Sequence, residues 1–158
     1  MRAYLDSSYF FDHMSDDNNE RRFACKVKRR IGSYDIIIPQ IVLGEIMSVT
    51  LRKYNNNLNE LQSKIRILSN EVTAIVTPTT GLPVIESKHL VHMNHFMNIC
   101  KFSPTDASIL SVVIEDADSD YFITTDTNLI NSGTIYSYEQ QLHDQDLRKK
   151  SLNITEIP

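Results

Sequence analysis

Short apolar runs alternate with segments of helical spacing along this 158-residue chain, and no other feature restricts the fold as much. Ala3-Tyr4-Leu5 reads as a brief buried strand ending at Asp6. Asp35-Ile36-Ile37-Ile38 is a β-branched run closed by Pro39, the pattern of a buried parallel strand. Val72 to Val76 reads as a third strand, Tyr121 to Thr124 as a fourth and Thr134-Ile135-Tyr136 as a short fifth. Helical stretches fall between them. A turn or two is expected over Ser7 to Met14. Phe23, Val27 and Ile31 are four apart and predict a helix from about Glu20, with Gly32 as its stop. Pro39 to Tyr54 reads as a helix, with the proline at its start. Leu58, Leu61, Ile65 and Leu68 predict another. Pro78 to Pro83, around Gly81, reads as a turn-rich loop. Further helices are expected from about Glu86 to Cys100 and from Ser103 to about Ala117, and the tail after Tyr138 as a loose helix or an arm.

Strands alternating with helices predict an α/β domain with a parallel sheet. In such sheets ligands sit beyond the carboxyl ends of the strands, where Asp6 and Asp126 both fall. One domain is expected at this length, over 1–138, with 139–158 as a tail packed on it or extending from it.

Composition excludes several classes. The chain is 41% hydrophobic and 23% charged, ordinary for a globular protein, and holds no apolar run long enough to span a membrane. Met1-Arg2-Ala3-Tyr4-Leu5-Asp6 carries an acid too early for a signal peptide, so a cytoplasmic location is expected. Cys25 and Cys100, the only cysteines, form no C-x-x-C pattern and suggest neither a zinc knuckle nor a disulfide scaffold. The net charge of −4 argues against a protein that coats nucleic acid by bulk charge. Acidic metal ligands themselves lower the total, so a nuclease remains open.

Four acids stand out, each with a bland explanation. Asp6 follows a strand and is a good N-cap for the next helix. Glu45 lies four residues after Ile41 and four before Val49, beside an apolar stripe, where a charge needs a partner such as Arg52 or a metal. Ser103-Pro104-Thr105-Asp106 matches a capping box. Asp126 caps the Asn128-Leu129-Ile130 segment equally well. Their joint placement says more, with two at strand ends and two on helices over the same sheet edge. Clustered carboxylates repel unless a cation intervenes. Hard ions such as Mg²⁺ or Mn²⁺ suit oxygen ligands, and there they activate water against a phosphodiester with no His or Cys nucleophile.

The order strand-Asp6-Ser7-Ser8, Pro39 to Glu45 on a helix, Thr105-Asp106-Ala107-Ser108-Ile109, then Phe122-Ile123-Thr124-Thr125-Asp126 resembles PIN domains. It looks most like the compact prokaryotic VapC-type toxins, over roughly residues 3 to 136. The acid that opens a helix, followed by strand-T-x-D, is the most specific block. The resemblance implies a three-layer α/β/α fold around a parallel sheet of about five strands, and Mg²⁺- or Mn²⁺-dependent endoribonuclease activity. It implies Asp6, Glu45, Asp106 and Asp126 as the catalytic set, with Asp6, Asp106 and Asp126 on the metal. Thr124 matches the family's usual hydroxyl, and Ser8 is expected to assist. Asn128 stands where many relatives have a further Asp, so a second metal is expected to bind weakly. Glu115 to Asp120 lacks the usual glycine before the fourth strand; its acids read as a solvated turn, with Asp120 able to approach the site's rim. An antitoxin partner and a homodimer follow by analogy.

The densest basic stretch is on the helix before Gly32. Arg22, Lys26, Arg29 and Arg30 lie near one of its faces and suggest contact with RNA backbone, against the plain reading of a solvated face. His89, His92 and His95 repeat every third residue, a spacing that drifts around a helix and favours structural or surface roles. Two other functions compete. One is a non-catalytic PIN-like module gripping RNA or protein, or a stand-alone RNA-processing nuclease. The other, a phosphatase of the haloacid-dehalogenase type, needs a second Asp two residues after the first, where this chain has Ser8.

Overall fold

The computed structural model describes residues 1–75 and 83–158. Four strands, β1 (Arg2–Leu5), β2 (Asp35–Ile37), β3 (Ser119–Ile123) and β4 (Asn153–Thr155), form one sheet in the order β2-β1-β3-β4. Every pairing is parallel, with Ala3 opposite Ile36 and Leu5 opposite Ile123. All carboxyl ends therefore lie along one edge, and whatever follows a strand is delivered there. The helices are α1 (Ser7–Met14), α2 (Asn18–Ile31), α3 (Gln40–Tyr54), α4 (Leu58–Ile75), α5 (Leu90–Asn98), α6 (Pro104–Glu115), α7 (Thr127–Ile130) and α8 (Gly133–Asp144), with a 3-10 turn at Ser87–His89. They give a three-layer α/β/α arrangement. Every residue of α6 from Ala107 to Ile114 is buried, which makes it the central helix, packed on α5 and α3. Its start is sharply defined, because Ser103 caps it and Pro104 occupies the first turn.

Two expected strands are helix instead. Residues 72–75 complete α4, because Leu61, Ile65, Leu68, Val72 and Ile75 continue one three-four period and Val72 and Ile75 pack on the core. Val76 and the expected loop over 78–82 lie outside the described residues. Thr134-Ile135-Tyr136 lies in α8, whose buried Ile135, Tyr138, Glu139 and Leu142 follow helical spacing behind a Ser132 cap. Packing on one face outweighs the β-propensity of three residues. The sheet among the described residues thus has four strands rather than about five.

The last of these, β4, comes from a segment expected to be a loose helix or an arm. It pairs with β3 at the sheet's outer edge. Arg148, 2% exposed, anchors its approach by donating to the carbonyls of Ile114, Asp116 and Ser119 and pairing with Glu139. Glu139 also accepts the Leu152 N–H. No helix among the described residues is long and apolar enough to cross a membrane.

Candidate metal centre

Asp6 leaves β1 and occupies the cap position of α1, yet its side chain makes no cap hydrogen bond. The carboxylate, in a residue only 7% exposed, turns to two hydroxyls: Ser8 Oγ donates to Oδ2 at 2.9 Å and Thr124 Oγ1 at 2.8 Å. Each hydroxyl is oriented by a backbone donor. Ser8 Oγ accepts the Thr125 N–H at 3.0 Å, and Thr124 Oγ1 accepts the Asp126 N–H at 3.1 Å. The strand ends of β1 and β3 are thereby laced together, helped by the Asp6 N–H donating to Ile123 O. Among the described residues no hydrogen bond reaches Asp6 Oδ1, which is left available to a ligand.

Glu45 is half-buried in the second turn of α3. Burial pushes its pKa above the usual glutamate value; a hydrogen bond with Ser7 opposes this, and the nearby charges of Asp6 and Asp106 add to it. Asp6, Glu45 and Asp106 thus share one electrostatic neighbourhood. Asp106 keeps its capping role: Ser103 Oγ accepts its N–H at 3.1 Å and donates to its Oδ2 at 2.6 Å. Asp126 is held against the same strand ends through Thr124, and its Oδ1 accepts the Asn128 N–H at 2.8 Å, capping α7. Asn128 itself is exposed.

Among the described residues none of these four acids belongs to an ion pair. The Arg52 partner considered for Glu45 does not pair with it, although both line an open cleft of about 330 Å³ with Thr105 and Ser48. As they stand, no three His, Cys, Asp or Glu side chains among the described residues are grouped closely enough to ligate one ion. The donor set still fits a hard divalent cation. It is all oxygen, it holds an open carboxylate oxygen at Asp6, and the negative charges of Asp6 and Asp106 raise the pKa of Glu45, with no ion pair to any of them among the described residues.

Other candidates lie elsewhere. Arg22, Lys26, Arg29 and Arg30 are exposed on α2, but this helix ends just before β2 begins, so its C-terminal turn sits at the sheet edge opposite Asp6. Arg30 is felt there by Tyr34, which stacks on Tyr121 at 5.5 Å. Asp120 does not approach the site's rim, because it starts β3 and accepts the Arg2 N–H at 2.7 Å on that opposite edge. The histidines serve packing. His92 bridges Tyr138 and Glu115, both at 2.8 Å, His95 stacks on Tyr138 at 3.7 Å, and His89 accepts the Glu86 N–H. Ser7, which lowers the Glu45 pKa against the effect of burial, is not singled out by the sequence; a hydroxyl directly after a strand-ending acid is the available signal.

A family model described as PIN domain matches residues 3–133. No curated protein matches the chain.

Proposed function

The chain belongs to the PIN-domain family, whose members are typically nucleases, and on that premise we propose that it is a metal-dependent endoribonuclease, the toxin of a toxin–antitoxin pair. The observation that supports this reading is Asp6 at the end of β1, its Oδ2 held by two hydroxyls and its Oδ1 open, with Glu45 and Asp106 in the same electrostatic neighbourhood and no ion pair to any of the four acids among the described residues. Asp6, Asp106 and Asp126 would hold Mg²⁺ or Mn²⁺, which when bound supplies a water of lowered pKa and charge stabilisation for the phosphate. Ser8 and Thr124 hold Asp6 in one orientation, which leaves Oδ1 directed away from its protein partners. Glu45, whose pKa burial raises above the ordinary glutamate value, would accept or return a proton at its carboxylate. Arg52 and Thr105 line the cleft beside it and offer phosphate contacts. Arg22, Lys26, Arg29 and Arg30 would take more distant RNA phosphates along α2, a helix about 21 Å long at 1.5 Å per residue.

The test is cleavage of single-stranded RNA by the purified protein with Mn²⁺. We expect cutting that disappears in Asp6→Asn and Asp106→Asn while both variants stay folded. Absence of cleavage, or equal cleavage by the variants, would overturn the reading. An antitoxin segment covering the site is expected from a neighbouring reading frame, and a homodimer is expected in solution.

A second reading, a non-catalytic PIN-like module, is favoured by Asn128, whose amide replaces a further acid at the tip of α7. Calorimetry separates the two, since Mg²⁺ or Mn²⁺ binding tighter than millimolar supports the enzyme.

A further inference from the structure

A second cleft, of about 280 Å³, opens beside the first between the far turns of α1 and α3. Val49 borders both. Asp12 lies about 9 Å along α1 from Asp6, and Thr50 about 7.5 Å along α3 from Glu45, at 1.5 Å per residue. The cleft therefore sits within reach of a nucleotide adjoining one held at the acids.

Two features mark it as built for a ligand. Thr50 lines it, is 2% exposed, and its Oγ1 has no hydrogen-bond partner among the described residues. A threonine inside a helix ordinarily bonds the carbonyl one turn back, and this one does not. Asp12 lines the same cleft with Glu20 and belongs to no ion pair among the described residues. Its partial burial, with Glu20 and Glu156 nearby, raises its pKa to about 6. Phe11 supplies an aromatic wall, and the exposed Lys53 supplies a cation, its Nζ lying over the Tyr54 ring at 5.3 Å.

We infer that this cleft is a base-binding subsite selective for guanine in single-stranded RNA. The inference rests on the ribonuclease reading and extends its substrate class. A carboxylate only accepts hydrogen bonds, so it selects bases by the donors they present. Guanine offers N1–H and the N2 amino group side by side, a match for the two oxygens of Asp12. Adenine and cytosine set an acceptor nitrogen beside their amino group, and uracil flanks its single N–H with two carbonyls, so each places a repelling lone pair against the carboxylate. The Thr50 hydroxyl is a donor for the base carbonyl. The Phe11 ring takes a face of the base, as aromatic side chains do in other single-strand sites. Use of the Watson–Crick edge requires that the strand be unpaired.

The test is a nuclear magnetic resonance titration of the full chain, in metal-free buffer, with the 5′-monophosphates of guanosine, inosine, adenosine, cytidine and uridine. Guanosine monophosphate should bind about tenfold more tightly than the adenosine, cytidine and uridine forms, the discrimination of one bidentate pair. Its shifts should centre on the amides of Phe11, Asp12 and Thr50. Inosine monophosphate, which lacks the N2 amino group, should bind more weakly than guanosine monophosphate to the natural chain and equally to Asp12→Asn. Thr50→Val, which keeps the side-chain shape, should weaken guanosine monophosphate with the spectrum otherwise intact. Equal binding of all the nucleotides, no binding, or an unchanged guanosine preference in Asp12→Asn overturns the inference. RNA cleavage measured on the same preparation keeps the two readings apart. Cleavage without guanosine selectivity removes the subsite alone, whereas selectivity without cleavage of any RNA removes the nuclease alone.

Discussion

Thr124 Oγ1 donates to Asp6 Oδ2 at 2.8 Å across the ends of two neighbouring strands, while accepting the N–H of Asp126 at 3.1 Å. One buried hydroxyl thereby orients the Asp6 carboxylate and holds the Asp126 backbone, and its own proton has a single use. Thr124→Val preserves shape and removes both bonds, leaving a buried carboxylate short of a donor. We expect a stability loss of about 1–2 kcal/mol by urea denaturation. RNA cleavage should fall about tenfold or more in kcat, since a tilted Asp6 affects the reacting geometry more than RNA docking. Thr124→Ser, which retains the hydroxyl, should keep most of both. A valine variant as active as the natural chain would separate Thr124 from the site.

Arg148 makes the corresponding claim for the C-terminal segment. Its guanidinium, almost wholly buried, reaches three carbonyls and the Ser119 hydroxyl and pairs with Glu139. Removing it strands Glu139 and those carbonyls, a loss of about 3–5 kcal/mol. Lysine should not rescue it, because a point charge cannot reproduce the planar fork. Hydrogen exchange is the direct readout: in Arg148→Ala, the amides of β4 should exchange far faster than those of β1. Unchanged protection of Asn153–Thr155 would show that the strand holds without its anchor.

These two networks also show where a linear reading stops. The strands bearing Asp6 and Asp126 are legible because each is an apolar run with an acid directly after it. The helix caps at Ser103 and Asp126 are legible because they join residues two or three apart. The hydroxyl cage of Asp6 is not, since Thr124 is 118 residues away and comes close only through parallel pairing of β1 and β3. Residues 72–75 and 134–136 carry β-forming side chains, and only their packing partners decide for helix. Asn153-Ile154-Thr155 has one apolar residue, so an edge strand there leaves no periodic signal. The basic residues of α2 share a face in sequence, but the turn of the chain into β2 sends their far end away from the acids.

Glu71 joins three elements from inside α4. Tyr9 donates to it at 2.6 Å, Lys28 at 2.7 Å, and His13 Nε2 lies 3.2 Å away. Glu71→Ala leaves these groups facing an apolar void, with Lys28 still able to reach water because it is 40% exposed. A loss of about 2–3 kcal/mol is expected, below that of a fully enclosed pair. The α1–α2 pair should loosen from α4, seen as faster proteolysis within Asn18–Ile31. A Glu71→Gln variant retains the Tyr9 bond and should recover about half of the loss.

Asp12 gives a pH dependence of definite sign. Burial, then Glu20 and Glu156, raises its folded-state pKa to about 6 from an ordinary value of 3.8. Below about pH 4 the residue is protonated in folded and unfolded chains alike, and it contributes nothing to the difference. Between about pH 4 and 6 the unfolded chain releases the proton while the folded chain retains it, so stability falls as pH rises, and the penalty is complete above about pH 6. The residue is only partly buried, and screening reduces the full linkage figure to about 1 kcal/mol. Asp12→Asn should therefore be as stable as the natural chain near pH 4 and about 1 kcal/mol more stable at pH 7, measured by urea midpoints across that range. A gain independent of pH would assign the effect to packing rather than charge. If the gain follows the expected curve, Asp12 is a carboxylate that weakens the fold where it is ionised, the exchange expected of a side chain positioned for a ligand rather than for stability.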